Sequence, residues 1–296
     1  MQTSNPPVSN IDTVVCKWLP QTPTVVFSPV ITTASVASTI WVIAGLDSAG
    51  PINTNASNSR SDTLILVFDH GGTSTLNLLF VPRDSLVEIT KPNIGIVGTS
   101  KITHSTVHGG INTLLQTITH NFGIIPDHYI VVNFTAVIKV IDAIGGVTIN
   151  VEQRFCYKRV GDGQQRCIDA GLQHMDGEDF LGYWRIRNYG ITHTSDITRV
   201  KRQIEILADT NIKQQIKQHL GPSLVTTLGD VWLHNTRSDE SLIQLLQTLN
   251  NWIDRPMTID VLPGTFKTGQ YVYDLTVPVS VYIWDREWLK QYLLDK

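Results

Sequence analysis

Asp47, Arg60, Asp62 and Arg83 stand at or beside the ends of three short apolar runs, Thr39 to Gly45, Thr63 to Phe68 and Thr75 to Val81. Aspartates and arginines gathered in one place suit a phosphorylated ligand. Two carboxylates can hold Mg²⁺, which takes one or two such ligands and leaves its other positions to water and phosphate oxygens. The guanidinium fork donates paired hydrogen bonds to phosphate. The same four side chains would also make two structural ion pairs at a loop edge. Their arrangement in space decides between the two readings.

A second group lies further along. Arg185 and Arg187 are two apart, so an extended segment turns both toward one side. Arg199 and Gln203 are four apart and share a helix face. They fall in the first turns of an apolar-periodic stretch beginning near Asp196, where the positive end of the helix dipole already favours anions. A solvated basic turn paired with Asp196 is the competing reading.

The elements that must position these residues follow from periodicity. The three apolar runs read as strands, and Asp69-His70-Gly71-Gly72 reads as a turn that joins the second and third into a hairpin. In a hairpin the start of one strand lies beside the end of the other. Asp62 opens the second run and Arg83 closes the third, so Asp47, Arg60, Asp62 and Arg83 converge on one end of the sheet. Further along, the pattern predicts helices over 110–122, 135–144, 176–185, 196–218, 241–252 and 286–294. It predicts strands over 129–133, 147–151, 257–262 and 278–284. Strands mixed with helices, and no clear linker, give an α/β fold of one domain. Residues 1–35 read as an extended, Pro/Ser/Thr-rich lead-in to a domain covering 36–296.

Composition removes several function classes. The net charge is −3 and the pI about 6.3, without a basic stripe, so nucleic acid is not an expected partner. Trp18 to Leu46 carries no charge, but prolines at 20, 23 and 29 argue against a membrane span. No basic leader precedes an apolar core. His104 and His108 are four apart with no evident third ligand, so they read as polar pocket-edge residues rather than a zinc site. Cys156 and Cys167 flank a polar loop and would form a disulfide outside the cytoplasm, or remain two thiols inside it. The apolar residues Ile204, Ile206, Leu207, Ile212 and Ile216 read first as core and secondly as lining for a lipid. Trp41, Trp184 and Trp232 read as packing residues.

The ordered motifs resemble the LytR-CpsA-Psr (LCP) family. They are Gly45-Leu46-Asp47, Arg60-Ser61-Asp62, Pro82-Arg83-Asp84, Lys101-Ile102 with Gly109-Gly110, and Asp142-Ala143-Ile144-Gly145-Gly146-Val147. Arg185-Ile186-Arg187 and Asp196-Ile197-Thr198-Arg199-Val200-Lys201-Arg202-Gln203 complete the set, which spans roughly 40–210. Departures are Phe80-Val81 before Pro82, the 104–108 stretch before Gly109, and Trp184 before Arg185. They leave the charged residues intact; the first is a mild core change, and the last two bear on the shape of the lipid or glycan pocket.

The resemblance implies an α-β-α layered domain with a mixed central sheet and an apolar lipid pocket. It implies a phosphotransferase that moves a phospho-glycan from a polyprenyl-pyrophosphate carrier to a hydroxyl of peptidoglycan or another cell-wall glycan. It further implies that Arg60, Arg83, Arg185, Arg187, Arg199 and Gln203 grip the pyrophosphate while Asp47 and Asp62 hold Mg²⁺ or Mn²⁺. Asp47, Asp62, Arg83 and Arg185 would carry the catalysis. The expected setting is the extracytoplasmic face of a bacterial membrane, reached through the lipid substrate and an anchor not seen in this sequence. A polyprenyl-pyrophosphate pyrophosphatase and a non-catalytic polyprenyl-phosphate binding module stay open as alternatives.

Overall fold

Leucine, isoleucine and valine dominate the first three strands, β1 (Thr39–Leu46), β2 (Ser61–Asp69) and β3 (Leu76–Phe80), and most of their side chains are buried. Such runs suit strands covered on both faces. The computed structural model describes residues 38–52, 59–72, 74–189, 192–193, 196–228, 232–235 and 242–296. The expected lead-in at 1–35 lies outside them.

After β3 come a hairpin of β4 (Leu86–Lys91) and β5 (Gly95–Lys101), then α1 (Ser105–Phe122), β6 (His128–Val132), α2 (Phe134–Ala143) and β7 (Val147–Val151). A second hairpin, β8 (Phe155–Lys158) and β9 (Gln165–Ile168), precedes β10 (Gly171–Met175) and α3 (Gly177–Arg185). The short pair β11 (Asn188–Tyr189) and β12 (Thr192–His193) leads to α4 (Asp196–Ala208), α5 (Thr210–His219) and α6 (Pro222–Leu228). The chain ends with β13 (Trp232–Asn235), α7 (Leu242–Asp254), β14 (Met257–Val261), β15 (Gly264–Gln270), β16 (Val279–Trp284) and α8 (Arg286–Leu294).

The central sheet has the order β13-β6-β1-β2-β3-β14. It is mixed: β1–β2, β2–β3 and β6–β13 are antiparallel, while β1–β6 and β3–β14 are parallel. Alternate residues of each strand face opposite ways. Val42, Leu64 and Leu66 pack with Ile111, Leu114 and Ile118 of α1 and with Leu289 of α8. Trp41, Ile65 and Val67 pack on the other side with Val200 of α4 and with Leu245 and Trp252 of α7. The result is the α-β-α layering expected. A separate core joins α2, α3 and the β7–β10 strands, with Phe155, Met175 and Phe180 at its centre.

Three helices depart from the sequence reading; one of them, α6, has only seven residues and shows no clear periodicity. α1 starts at Ser105, not Gly110, but its regular path breaks at Gly110 (φ 66°, ψ −157°). That conformation is open to glycine and strained for other residues. The periodicity therefore registered only the second part. The single helix expected over 196–218 is two. Asp209 adopts an extended backbone and accepts from the Ile212 N–H, capping α5 and ending α4. Both outer hairpins, β4–β5 and β8–β9, escaped the pattern: the strands of β8–β9 have four residues each, and β5 begins at Gly95 and is interrupted by Gly98.

Candidate active site

Strand register builds the first half of the site. Pairing of Leu46 with Ser61 brings Asp47 beside Arg60, and the two exchange bonds: Asp47 N–H donates to the Arg60 carbonyl (2.9 Å), and Arg60 N–H donates to Asp47 Oδ1 (2.6 Å). In the β2–β3 hairpin Ile65 faces Phe80, and continuing that register sets Asp62 opposite Arg83. Arg83 Nη1 donates to Asp62 Oδ1 at 2.6 Å.

Asp62 is also where the second half arrives. Arg187 Nη2 lies 3.5 Å and Arg199 Nη1 3.9 Å from Asp62 Oδ2, and Arg199 Nη2 donates to the Asp62 carbonyl at 3.1 Å. Arg199 is almost wholly buried, at 3 % exposure. One carboxylate thus faces three guanidinium groups from β2–β3, the chain after α3, and α4. Arg185 stacks over the Phe134 ring at 4.0 Å. Burial lowers the pKa of its guanidinium, opposed by the charges of Asp62 and Asp47. The two groups of charged residues read from sequence are one constellation.

Arg202 was missed as a functional residue. It is buried, stacks on the Tyr183 ring, and its Nη1 donates to the carbonyls of Tyr183 (3.2 Å) and Ile186 (2.8 Å). Gln203 was read as a pyrophosphate ligand. It is 2 % exposed, lines the cavity, and its amide also reaches the Trp184 carbonyl at 3.4 Å. α4 thus fixes the end of α3, where Arg185 and Arg187 begin. The signal for Arg202 was its place three residues after Arg199, on the same flank of a helix. The competing reading, a basic turn paired with Asp196, concerns a side chain outside those described.

A cavity of about 450 Å³ opens against this constellation. Its charged lining is Asp62, Arg185, Arg187 and Arg199, with Gln203 beside them, and Lys158 and Glu178. Its apolar lining comes from Val132, Phe134, Val137, Leu181, Trp184 and Ile186. Asp47, Arg60 and Arg83 stand behind Asp62 rather than in the cavity wall. Of the apolar α4–α5 residues weighed as lipid lining, none borders this cavity; Ile206 and Ile212 are buried in the α2–α3 core, and Ile204 and Leu207 pack beneath the sheet. Trp41 is core, against His128 and Trp252. Trp184 both stacks with Phe180 and lines the cavity. The side chain of Trp232 lies outside the described residues.

The donor set bears on a metal. Among the described residues no group of three or more His, Cys, Asp or Glu side chains could hold an ion by itself. Asp47 and Asp62 form a pair. Burial raises the Asp47 carboxyl pKa, the Arg60 N–H opposes this, and the Asp62 charge raises it further. Two hard, mutually repelling oxygen ligands fit Mg²⁺, which keeps its remaining positions for water and phosphate, better than an all-protein cage.

Next to this site, His104 and His108 do share a partner. His104 Nδ1 and His108 Nε2 each lie 2.8 Å from Asp274 Oδ2, and Ser100 Oγ donates to Asp274 Oδ1 at 2.6 Å. A carboxylate only accepts, so both ring nitrogens facing it carry protons. Cys156 and Cys167 are joined by a disulfide across β8 and β9.

The LytR_cpsA_psr family profile matches residues 24–283. The polyisoprenyl-teichoic acid–peptidoglycan teichoic acid transferase TagT of Bacillus subtilis is 28 % identical over 169 residues, covering 56 % of this chain and 50 % of TagT. The chain thus spans about half the length of that relative. The enzyme of the same name, TagU, from Halalkalibacterium halodurans is 28 % identical over 243 residues, covering 80 % of this chain and 73 % of TagU. The crystal structure of B. subtilis TagV superposes with a TM-score of 0.63 at 20 % identity, covering 88 % of this chain and 99 % of that one, which speaks for the fold alone. With the family profile matched across most of its length, this chain belongs to the LytR-CpsA-Psr family.

Proposed function

We propose that this protein transfers a phospho-glycan from a polyprenyl-pyrophosphate carrier to a hydroxyl of a cell-wall acceptor such as peptidoglycan. One observation carries the reading: Arg83, Arg187 and Arg199 converge on Asp62 at a cavity whose remaining lining is largely apolar. A pyrophosphate joined to a hydrocarbon chain needs both surfaces. The names of TagT and TagU, teichoic acid transferases acting from a polyisoprenyl-linked donor to peptidoglycan, agree with this chemistry.

In this mechanism the arginines bind and orient the pyrophosphate, with Arg185, Arg187 and Arg199 in the cavity and Arg60 and Arg83 behind. The acceptor oxygen attacks the glycan-side phosphorus in line with the bridging oxygen. The bond from that phosphorus to the bridging oxygen breaks, polyprenyl phosphate leaves, and the proton of the acceptor hydroxyl passes to water or to the departing phosphate. Phosphoryl transfer asks mainly for alignment and charge neutralisation, which fixed guanidinium groups supply without reorganising. Asp47 and Asp62 would hold Mg²⁺ (or Mn²⁺), which adds neutralising charge at the phosphate oxygens when bound.

A disulfide fits an extracytoplasmic site. No helix among the described residues is long and apolar enough to cross a membrane, so contact with the membrane surface would come through the lipid or through an anchor.

The test is transfer from a polyprenyl-pyrophosphate-linked glycan to peptidoglycan, with and without the acceptor. The expected result is acceptor-dependent loss of donor with glycan linked to peptidoglycan through a phosphodiester. Equal donor loss without acceptor, releasing free glycan phosphate, would make the protein a pyrophosphatase. Retention of the lipid with no turnover would make it a binding module.

A further inference from the structure

The β8–β9 hairpin stands beside the cavity and is held there more firmly than a surface hairpin requires. Cys156 and Cys167 face each other across its strands and are bonded. Tyr157 Oη donates to Asp179 Oδ1 at 2.5 Å, and Arg166 Nη2 meets Asp179 Oδ2 at 2.6 Å, on a carboxylate only 2 % exposed. Burial and the Asp179 carboxylate push the Tyr157 phenol far up, so it remains a donor. The backbone N–H groups of Val160 and Gly161 donate to the two oxygens of Glu178, each at 2.8 Å. The Tyr157 ring lies flush on α3 at Gly182, where a Cβ would come within 2.4 Å of it.

These contacts fix the hairpin against α3, on which α2 packs closely at Gly177 and Ile138, and so fix its distance from α2. A buried carboxylate shared by a phenol and a guanidinium is costly once any partner moves away. What the hairpin presents to the cavity is Tyr157, Lys158 and Val160, in the same lining as Phe134 and Val137 of α2 and Glu178 and Leu181 of α3, with the Glu178 carboxylate accepting from the hairpin N–H groups of Val160 and Gly161. The guanidinium cluster around Asp62 uses no hairpin residue. Headgroup binding and chain binding are therefore borne by separate parts of the protein.

We propose that this cross-linked hairpin is the specificity element for the hydrocarbon chain: it is a fixed wall whose distance from α2 sets how well the slot encloses a polyprenyl tail. The inference rests on the lipid-slot reading above. Enclosure matters because apolar surface contributes in proportion to the area removed from water, and a wall that stands off leaves part of the tail wet.

The experiment measures equilibrium binding of two probes, a long-chain polyprenyl phosphate in detergent micelles and inorganic pyrophosphate, with folding checked by circular dichroism. Two variants are compared with the parent: the double change Cys156→Ser with Cys167→Ser, and Val160→Trp. The second keeps the disulfide and the Glu178 bonds, which use backbone N–H groups, and serves if the first fails to fold. Each variant is expected to weaken polyprenyl phosphate about tenfold or more, the scale of a misfit in an apolar pocket, with pyrophosphate binding unchanged. Unchanged affinity for the lipid, or parallel loss of both probes, would overturn the proposal and leave the hairpin as fold support. A parent protein that binds the lipid no better than pyrophosphate would instead sink the lipid-slot reading itself.

Discussion

Arg202 Nη1 donates to the carbonyl of Ile186 at 2.8 Å, and Ile186 lies between the two arginines that face the cavity. A buried residue of α4 thereby sets the path of the chain that carries Arg185 and Arg187. Lysine has no guanidinium plane to stack on the Tyr183 ring and is shorter, so it does not hold the Tyr183 and Ile186 carbonyls in the same place. Arg202→Lys is expected to lower kcat about 10- to 100-fold, since displacing reacting groups by about 1 Å costs on that order. KM for the lipid-linked donor should change little, because the apolar lining is untouched. Equal loss in kcat and in melting temperature across Arg202→Lys and Arg202→Met, with no kinetic split, would mark the residue as structural only.

Asp62 opposes the charge of the arginines that are meant to hold pyrophosphate. Asp62→Asn should therefore move binding and catalysis in opposite directions. Inorganic pyrophosphate is expected to bind more tightly to the variant, since a competing anion beside Arg83, Arg187 and Arg199 is gone. Transfer is expected to fall about 10²- to 10³-fold, the scale of removing one fixed electrostatic group at a reacting centre. Titration calorimetry and a transfer assay read the two effects. Weaker pyrophosphate binding in Asp62→Asn would mean that the carboxylate organises the arginines more than it competes with their ligand.

The sheet corner was legible because it needs only strand alternation and a turn. Asp62 faces Arg83 by the count of residues in a hairpin, and Asp47 meets Arg60 by the register of its neighbour. The approach of Arg187 and Arg199 to the same carboxylate was not legible from spacing, since it depends on how α4 crosses the sheet; the family motifs supplied it. Asp274 was invisible for a similar reason. It lies 166 residues after His108 and 174 after Ser100, and nothing local marks it. The apolar residues of α4 and α5 fill cores, the first of their two readings, and the apolar cavity lining comes from α2, α3 and a hairpin whose strands are too short for the strand pattern.

The His104–Asp274 contact gives stability a pH dependence. Burial lowers the His104 pKa, Asp274 opposes this, and the nearby charges of Arg60 and Lys101 lower it further; the net direction is below the ordinary 6.5. Above 6.5 the ring is neutral in both folded and unfolded chains, so the stability is fully present. As pH falls through 6.5 the unfolded chain takes up the proton first, and the folded state loses ground until its own lower pKa is reached. A further loss follows in acid. There the Asp274 carboxyl, held below 3.8 by Ser100, His108 and His104 despite burial, is finally protonated. Melting temperature is expected to fall between neutral pH and about pH 5, with a shallower slope in His104→Gln. An identical slope in that variant would assign the dependence to other groups.

Reducing the Cys156–Cys167 bond should destabilise the protein, because the bond closes a loop of 11 residues in sequence and restricts the unfolded chain. Loop-closure entropy puts the effect at about 3 kcal/mol, which for a domain of this size corresponds to a fall in melting temperature of roughly 6–12 °C. That figure holds if the hairpin unfolds together with the α2–α3 core. The contacts argue that it does, since Phe155 and Ile168 are buried in that core and Asp179 ties both strands to α3. Thermal melts with and without reductant, alongside limited proteolysis of the 159–164 turn, distinguish the outcomes. A lowered melting temperature with the turn still protected at room temperature is the expected pair. Rapid cleavage of the reduced turn with an unchanged melt would mean that the hairpin opens as a unit of its own and that the bond, not the Asp179 clamp, keeps it closed.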